Sequence, residues 1–320
     1  FRFRSNRQKS RRRWTQRFRV QALVYSERSV DDASNERLVR GRSNGPSRRM
    51  VPPRLHVLLA RDSRKAVVIR RGPSRHTAVV GWDRSRDRFR LGQWLYGRIY
   101  ERRCDLSPEG DRLIYFAMNG KWGSEAKGAW SAISRAPWLK AESLFAKGDC
   151  WHGGGLFTSS SSYWLNDGYG HHVLYDRARL RRDSSHPWPA GVGGECLSVY
   201  FSRLQRDGWV LASHRGYRDE PVLFDKRISD KWKLRKSAHA SLARGEGRGV
   251  YFDTHELVHA RSGERREFPA WEWADVDGTR IVWAERGCLY AARVRPDGSF
   301  KAELLRAFTD MEFERRAAPY

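Results

Sequence analysis

Cysteine is scarce in this chain, four in 320 residues, and no two form a Cys-x-x-Cys pair. That excludes the disulfide framework of small secreted domains and the paired-thiol metal or redox sites that such spacing marks. Long apolar runs are missing too. The longest, Val57 to Ala60 and Leu113 to Met118, fall far short of the roughly 20 residues a membrane-spanning helix needs. No apolar stretch follows the charged N-terminal residues as in a secretory signal, so a reducing, cytoplasmic setting is the expectation. Two catalytic signatures are also lacking: Ser159 to Ser162 has no G-x-S-x-G elbow, and Gly153 to Gly155 lacks the Lys and Ser/Thr of a P-loop.

Acidic charge is in short supply. Against 62 Lys and Arg stand 37 Asp and Glu, a net charge of +25. The first 49 residues hold 15 of the basic side chains and only four of the acidic ones. This Arg- and Ser-rich segment is too polar to offset the entropy cost of folding, and it reads as a disordered basic leader. Clustered guanidiniums such as Arg11 to Arg13 are the one hint of nucleic acid, and residues 1 to 26, which lack any acid, also resemble a targeting peptide. The first methionine is Met50, directly before the first strand-like run, so translation starting there is a further expectation. No function is assigned to the leader; the folded domain is expected over 50–320.

What the chain has in plenty is a repeated pattern: a polar turn, a short apolar β-rich run, and usually a glycine. It occurs at Asp62 to Gly72, Glu109 to Gly120, Ser160 to Gly168, Asp207 to Gly216, Gly247 to Asp253 and Asp277 to Gly287. A second run follows each copy, at His76 to Asp83, Trp130 to Ser134, His171 to Asp176, Pro221 to Asp225, Glu256 to Ala260 and Cys288 to Val294. Further runs precede four of the turns: Arg54 to Ala60, Cys104 to Ser107, Gly155 to Thr158 and Cys196 to Ser202. Several short antiparallel strands per unit, recurring every few tens of residues, describe the blades of a β-propeller. The expectation is therefore an all-β fold, a single propeller of six four-stranded blades, with five or seven as alternatives. The turns are 47, 50, 48, 39 and 31 residues apart, so the last units are short. Phe308 to Phe313 is expected to be one more strand, closing the ring beside the first blade.

Leu106-Ser107-Pro108-Glu109-Gly110-Asp111-Arg112-Leu113-Ile114-Tyr115 resembles the LSPDG-x-x-L-x-Y motif of WD40-like repeats in TolB-type propellers. Asp275 to Gly278 and Leu204 to Gly208 are weaker copies. The resemblance implies a propeller over about 54–310. It implies little chemistry, because such propellers serve as scaffolds, peptidase lids and lyases alike.

On a propeller, the loops between second and third strands share one face with the segments leading into the innermost strands. That face is expected to gather Arg75, Lys121, Trp122, Tyr169, His171, Arg215, Tyr217 and Arg218, with Arg103, Asp149, His152 and Glu195 toward the axis. Guanidinium forks grip carboxylates and phosphates, and flat rings stack on sugars or bases. The expected function is a non-enzymatic scaffold presenting this basic, aromatic face to a protein, peptide or anionic ligand. The alternative is a hydrolase or lyase acting on an anionic sugar or peptide, which requires Asp149, His152 and Glu195 to converge with Arg103. Cys104, Cys150 and Cys196 recur at blade-like intervals, but buried thiols pack as small apolar groups, so no metal and no cofactor is expected. Among the tryptophans, Trp122, Trp138, Trp151 and Trp188 lie near loops and are candidate binding residues.

Overall fold

The repeated apolar runs have a plain physical origin: their strands are buried on both faces. In the computed structural model, which describes residues 51–73, 75–185, 197–213, 220–240 and 250–320, β1 (Arg54–Leu59) and β2 (Lys65–Arg71) show it best. Leu55, Val57, Ala66 and Val68 join a cluster with Trp273, Val282 and Leu289. Their neighbours Leu58, Val67 and Ile69 point the other way, onto Ile99, Leu113 and Tyr115. A strand packed on both sides reads as a continuous Val/Ile/Leu run rather than as an alternation. Sheets stacked face to face around an axis, each sealing its neighbours, make a propeller.

The described residues form five blades. The first is β1 and β2 with β3 (His76–Asp83) and β4 (Arg88–Tyr96), in sequential antiparallel order. The second begins with β5 (Arg98–Ile99), a single 3-10 turn over Glu101–Arg103 and β6 (Asp105–Leu106), and continues through β7 (Arg112–Met118), β8 (Ala129–Arg135) and β9 (Ala141–Ala146). Next come β10 (Gly155–Phe157) and β11 (Ser162–Leu165), which start the third blade. β12 (His172–Asp176) leaves that blade and pairs antiparallel with β9 as the outer strand of the second, and β13 (Arg181–Asp183) lies parallel to β11 in its place. Helix α1 (Leu197–Arg206) follows. The fourth blade has five strands, β14 (Val210–Ser213), β15 (Val222–Arg227), β16 (Trp232–Ala240), β17 (Tyr251–His259) and β18 (Arg265–Glu267). The fifth is β19 (Trp273–Asp277), β20 (Arg280–Glu285), β21 (Cys288–Ala292) and β22 (Glu303–Ala307).

The expected count of six is corrected at the fourth and fifth copies of the repeat. β17 pairs with β16 without interruption, from Trp232 opposite His259 to Ala240 opposite Tyr251. Gly247 to Asp253 and Glu256 to Ala260 are thus not two strands of a separate blade. Their described residues belong to one strand of the blade begun at Val210, and the two short spacings together make one step from the fourth blade to the fifth. Two further strand assignments change. Within Cys196 to Ser202, the described residues begin α1, because Leu197, Tyr200, Phe201 and Leu204 fall at helical spacing and pack together into the core of the fourth and fifth blades. Phe308 to Phe313 forms no strand.

That C-terminal segment nevertheless lies where the closing strand was expected, and it works as a strap. Phe308 is buried between the fifth and first blades, and its carbonyl accepts from Arg70 Nε at 3.0 Å. Phe313 packs on His76 and Trp94 of the first blade. Arg316 donates to the Leu91 carbonyl on β4 and takes the Gln93 amide on its own carbonyl. Tyr320 reaches the second blade, donating to the Lys140 carbonyl at 2.6 Å and accepting the Arg135 N–H. Among the described residues no strand pairs the first blade with the last, so these contacts tie three blades in sequence. Truncation after Thr309 is expected to cost at least ~1 kcal/mol and to lower Tm by about 2–4 °C, measured by calorimetry; an unchanged Tm would show the strap to be idle.

Candidate functional site

The axis of the propeller is filled by α1. Its side chains at positions 200, 203 and 206 lie on one face of the helix, and each meets a different part of the ring. Arg206 forks onto Asp105 at 2.6 and 2.8 Å, donates to the Phe157 carbonyl at 3.2 Å and pairs with Asp207 at 2.8 Å. Arg203 donates to the carbonyls of Cys104 and Glu101 and lies 2.9 Å from His56 Nε2 on β1. Tyr200 donates to Asp253 on β17 at 2.5 Å. The second, third, fourth and first blades are joined through these three side chains.

Around Asp253 is a buried polar cluster. Arg102 meets its Oδ1 at 3.0 Å, and Lys236 stands 3.9 Å from its Oδ2. Burial works against the Asp253 carboxylate, but Arg102 and Lys236 outweigh it and hold the group below the usual range. Lys236 is fully buried and donates to the Ala274 carbonyl at 3.1 Å, with His255 Nε2 at 3.2 Å; burial brings its ammonium down to about 8 despite Asp253. Burial and then Lys236 push His255 down to about 3, so its neutral ring accepts from Lys236 through Nε2. Glu101 lies close by, 3.6 Å from Arg71. Burial would raise its carboxyl, but the positive charges of Arg71 and Arg98 bring it to about 2. Glu101, Arg71, Arg102 and Glu272 line a cavity of about 310 Å³ at this end of the axis.

The loop face at this same end brings together most of the described candidates. Lys121 and Trp122 sit on the long turn between β7 and β8, and Gly128 closes it at φ +71°, where a Cβ would meet the Trp122 ring at 2.6 Å. Gly168 similarly makes room for the His152 imidazole. Lys147, fully buried at its side chain, pairs with Asp149 at 3.0 Å and lies 5.9 Å from the Tyr169 ring centre. His152 meets the edge of Tyr169 at 5.2 Å. Tyr169, Trp122 and Trp151 are 85%, 54% and 47% exposed. Arg75 stands apart on the turn between β2 and β3, where its carbonyl accepts from Gly97. Trp138, by contrast, is buried. Glu195, Arg215, Tyr217 and Arg218 lie outside the described residues, as does Trp188.

Arg103 has a different role from the one expected. It is buried, its guanidinium lies about 5 Å from the rings of Tyr100 and Phe116, and it donates to the carbonyls of Cys150 and His152. Arg103 therefore shapes the loop that carries Trp151 and His152. Asp149 is likewise engaged, with Lys147 and with the Trp151 N–H at 2.8 Å. His171 sits in a relay that sequence spacing did not reveal. Its Nδ1 donates to Asp167 at 2.5 Å, and its Nε2 accepts from Ser131 at 2.9 Å. Donor order matches a Ser-His-Asp triad, yet Ser131 is fully buried and its hydroxyl already accepts the Gly154 N–H at 2.8 Å. A nucleophile needs an approach for its substrate. This hydroxyl has none, and the relay fixes the 167–171 loop to β8.

Removing the central carboxylate with Asp105→Ala leaves Arg206 with Asp207 as its carboxylate partner and orphans the buried Phe157 N–H; it is expected to destabilise by about 3–5 kcal/mol, read from urea denaturation, and a loss under about 1 kcal/mol would show that α1 is held by its apolar face alone. The histidines set a pH dependence. His56, His171 and His255 are all held below the ordinary value of 6.5, chiefly by burial. At these histidines the unfolded chain therefore binds protons that the folded chain refuses, so the stability they contribute is full above about pH 6.5 and is lost as pH drops toward 3. His255→Gln is expected to flatten that fall between pH 7 and 4, and an unaltered slope would exclude His255 as a contributor. No protein-family model matches this chain and no curated protein matches it, so function is argued from the geometry alone.

Proposed function

We propose that this propeller is a binding module whose loop face, built around Trp122, Trp151 and Tyr169, holds a protein or peptide partner of acidic character. The observation that carries the reading is the contrast between the axis and the rim. At the axis, Tyr200, Arg203 and Arg206 are already engaged by the protein's own carboxylates, carbonyls and imidazole. On the rim, three aromatic rings stand in solvent on glycine-supported loops, beside exposed Lys121 and Lys127. Large rigid rings that lose little entropy on binding are the usual anchors of interfaces. Lysines at the edge favour acidic partners and speed their encounter.

The hydrolase or lyase alternative has less support. Asp149 and Arg103 are committed to Lys147 and to backbone carbonyls. The resemblance to WD40-like repeats rests on the Leu106 to Tyr115 turn, in which Ser107 Oγ accepts the N–H groups of Asp111 and Arg112.

A displayed library of 12-residue peptides tests the proposal. Acidic sequences with an aromatic residue are expected to be enriched on the full chain and to bind at least tenfold more weakly to Trp122→Ser/Tyr169→Ser, with affinity falling as salt rises. Equal binding by the double variant would overturn it, as would enrichment of basic sequences.

A further inference from the structure

The opposite end of the axis holds a second and larger cavity, about 720 Å³, walled by the far ends of β1 and β19 and floored by α1. Six basic side chains and four carboxylates line it, an excess of two positive charges. The wall behind it is similarly short of acid. Asp277 is buried and takes Arg84 at 2.6 Å, Arg64 at 3.3 Å and Arg280 at 2.9 Å. Of these three, Arg280 alone has a second carboxylate, Asp87 at 2.7 Å. Three guanidiniums around one buried carboxylate leave positive charge that the protein does not neutralise.

Two arginines of the lining are available to a ligand. Arg64 is 62% exposed and holds Asp277 by one long contact. Arg61, three residues before it, is exposed and pairs with no described residue. Asp62 shares this rim and is already counted among the four carboxylates. Arg203 and Arg206 in the floor are bound elsewhere but add to the local field. Leu204, Trp273 and Val276 supply apolar surface deeper in. The volume lies within the range of small-molecule sites, about 300–1,000 Å³.

We propose that this cavity binds a small organic dianion, a phosphate monoester, with the phosphate on Arg61 and Arg64 and the organic body against Leu204, Trp273 and Val276. Guanidinium forks match phosphate oxygens, and the three terminal oxygens of a phosphate monoester can be shared between Arg61 and Arg64 where the two of a monocarboxylate fill one fork.

Titration calorimetry of the full chain with phenyl phosphate, inorganic phosphate and benzoate tests it. Phenyl phosphate is expected to bind saturably with Kd below ~1 mM, and inorganic phosphate and benzoate at least tenfold more weakly. Arg61→Ala/Arg64→Ala is expected to weaken phenyl phosphate at least tenfold with Tm unchanged, and Arg315→Ala on the exposed tail to leave it unaltered. Should the double variant lose Tm, Arg61→Ala alone, which breaks no ion pair, is expected to weaken binding at least threefold. Trp122→Ser/Tyr169→Ser should retain full affinity, which separates this site from the loop face. The proposal is overturned by absence of saturable heat, by benzoate matching phenyl phosphate, or by an equal loss in Arg315→Ala.

Discussion

Asp105 is 1% exposed and its two oxygens receive four donors. These are the N–H of Leu106, the N–H of Phe157 on β10 and both terminal nitrogens of Arg206 on α1. One carboxylate thereby joins the second blade, the third blade and the central helix, with its lone pairs fully used. A buried charge is tolerable under just those conditions, when it is paired and hydrogen-bonded throughout. The rest of the centre follows from it. With Arg206 anchored, the same helical face carries Arg203 to the carbonyls of Glu101 and Cys104 and Tyr200 to Asp253. The larger cavity is floored by α1, and the smaller one is lined by Arg102 and Asp253, the latter being the partner of Tyr200.

How much of this was written in the sequence depends on the kind of signal. Strands buried on both faces, such as Ala66 to Ile69 and Ala78 to Val80, were plain because two-sided packing selects unbroken apolar runs. The same signal says nothing about which sheet a strand joins. β12 has the composition expected of the third blade and yet pairs with β9, and β16 and β17 form one nine-residue ladder across what looked like a unit boundary. Pairing is decided by distant partners, and local pattern is blind to them. α1 is a different case. Leu197, Tyr200, Phe201 and Leu204 carried a helical period, masked by the β-rich composition of Leu-Ser-Val-Tyr-Phe.

The site divides along similar lines. Loop position alone led to the expectation that Trp122 and Tyr169, on turns between strands two and three, share a face with His152 on an entry to an innermost strand; in the structure His152 meets the edge of Tyr169. Side-chain roles were not legible. Arg103 and Asp149 looked like ligand-binding charges and instead serve neighbouring backbone and Lys147. The Asp167, His171 and Ser131 relay joins residues up to 40 positions apart, and no spacing rule reaches that far.

The strap and the fifth blade lie far downstream of the first blade in the sequence, and this orders events during synthesis. Leu55, Val57 and Val68 of the first blade find their partners in Trp273, Val282, Leu289 and Phe308. Until those residues have left the ribosome, this face of the first blade lacks its partners, and the ring stays open along the seam between the first and fifth blades. Exposed apolar faces of that kind are where nascent chains associate wrongly. For this fold the interval of greatest risk lasts until the fifth blade and the strap are made, because they supply the partners that cover the first blade.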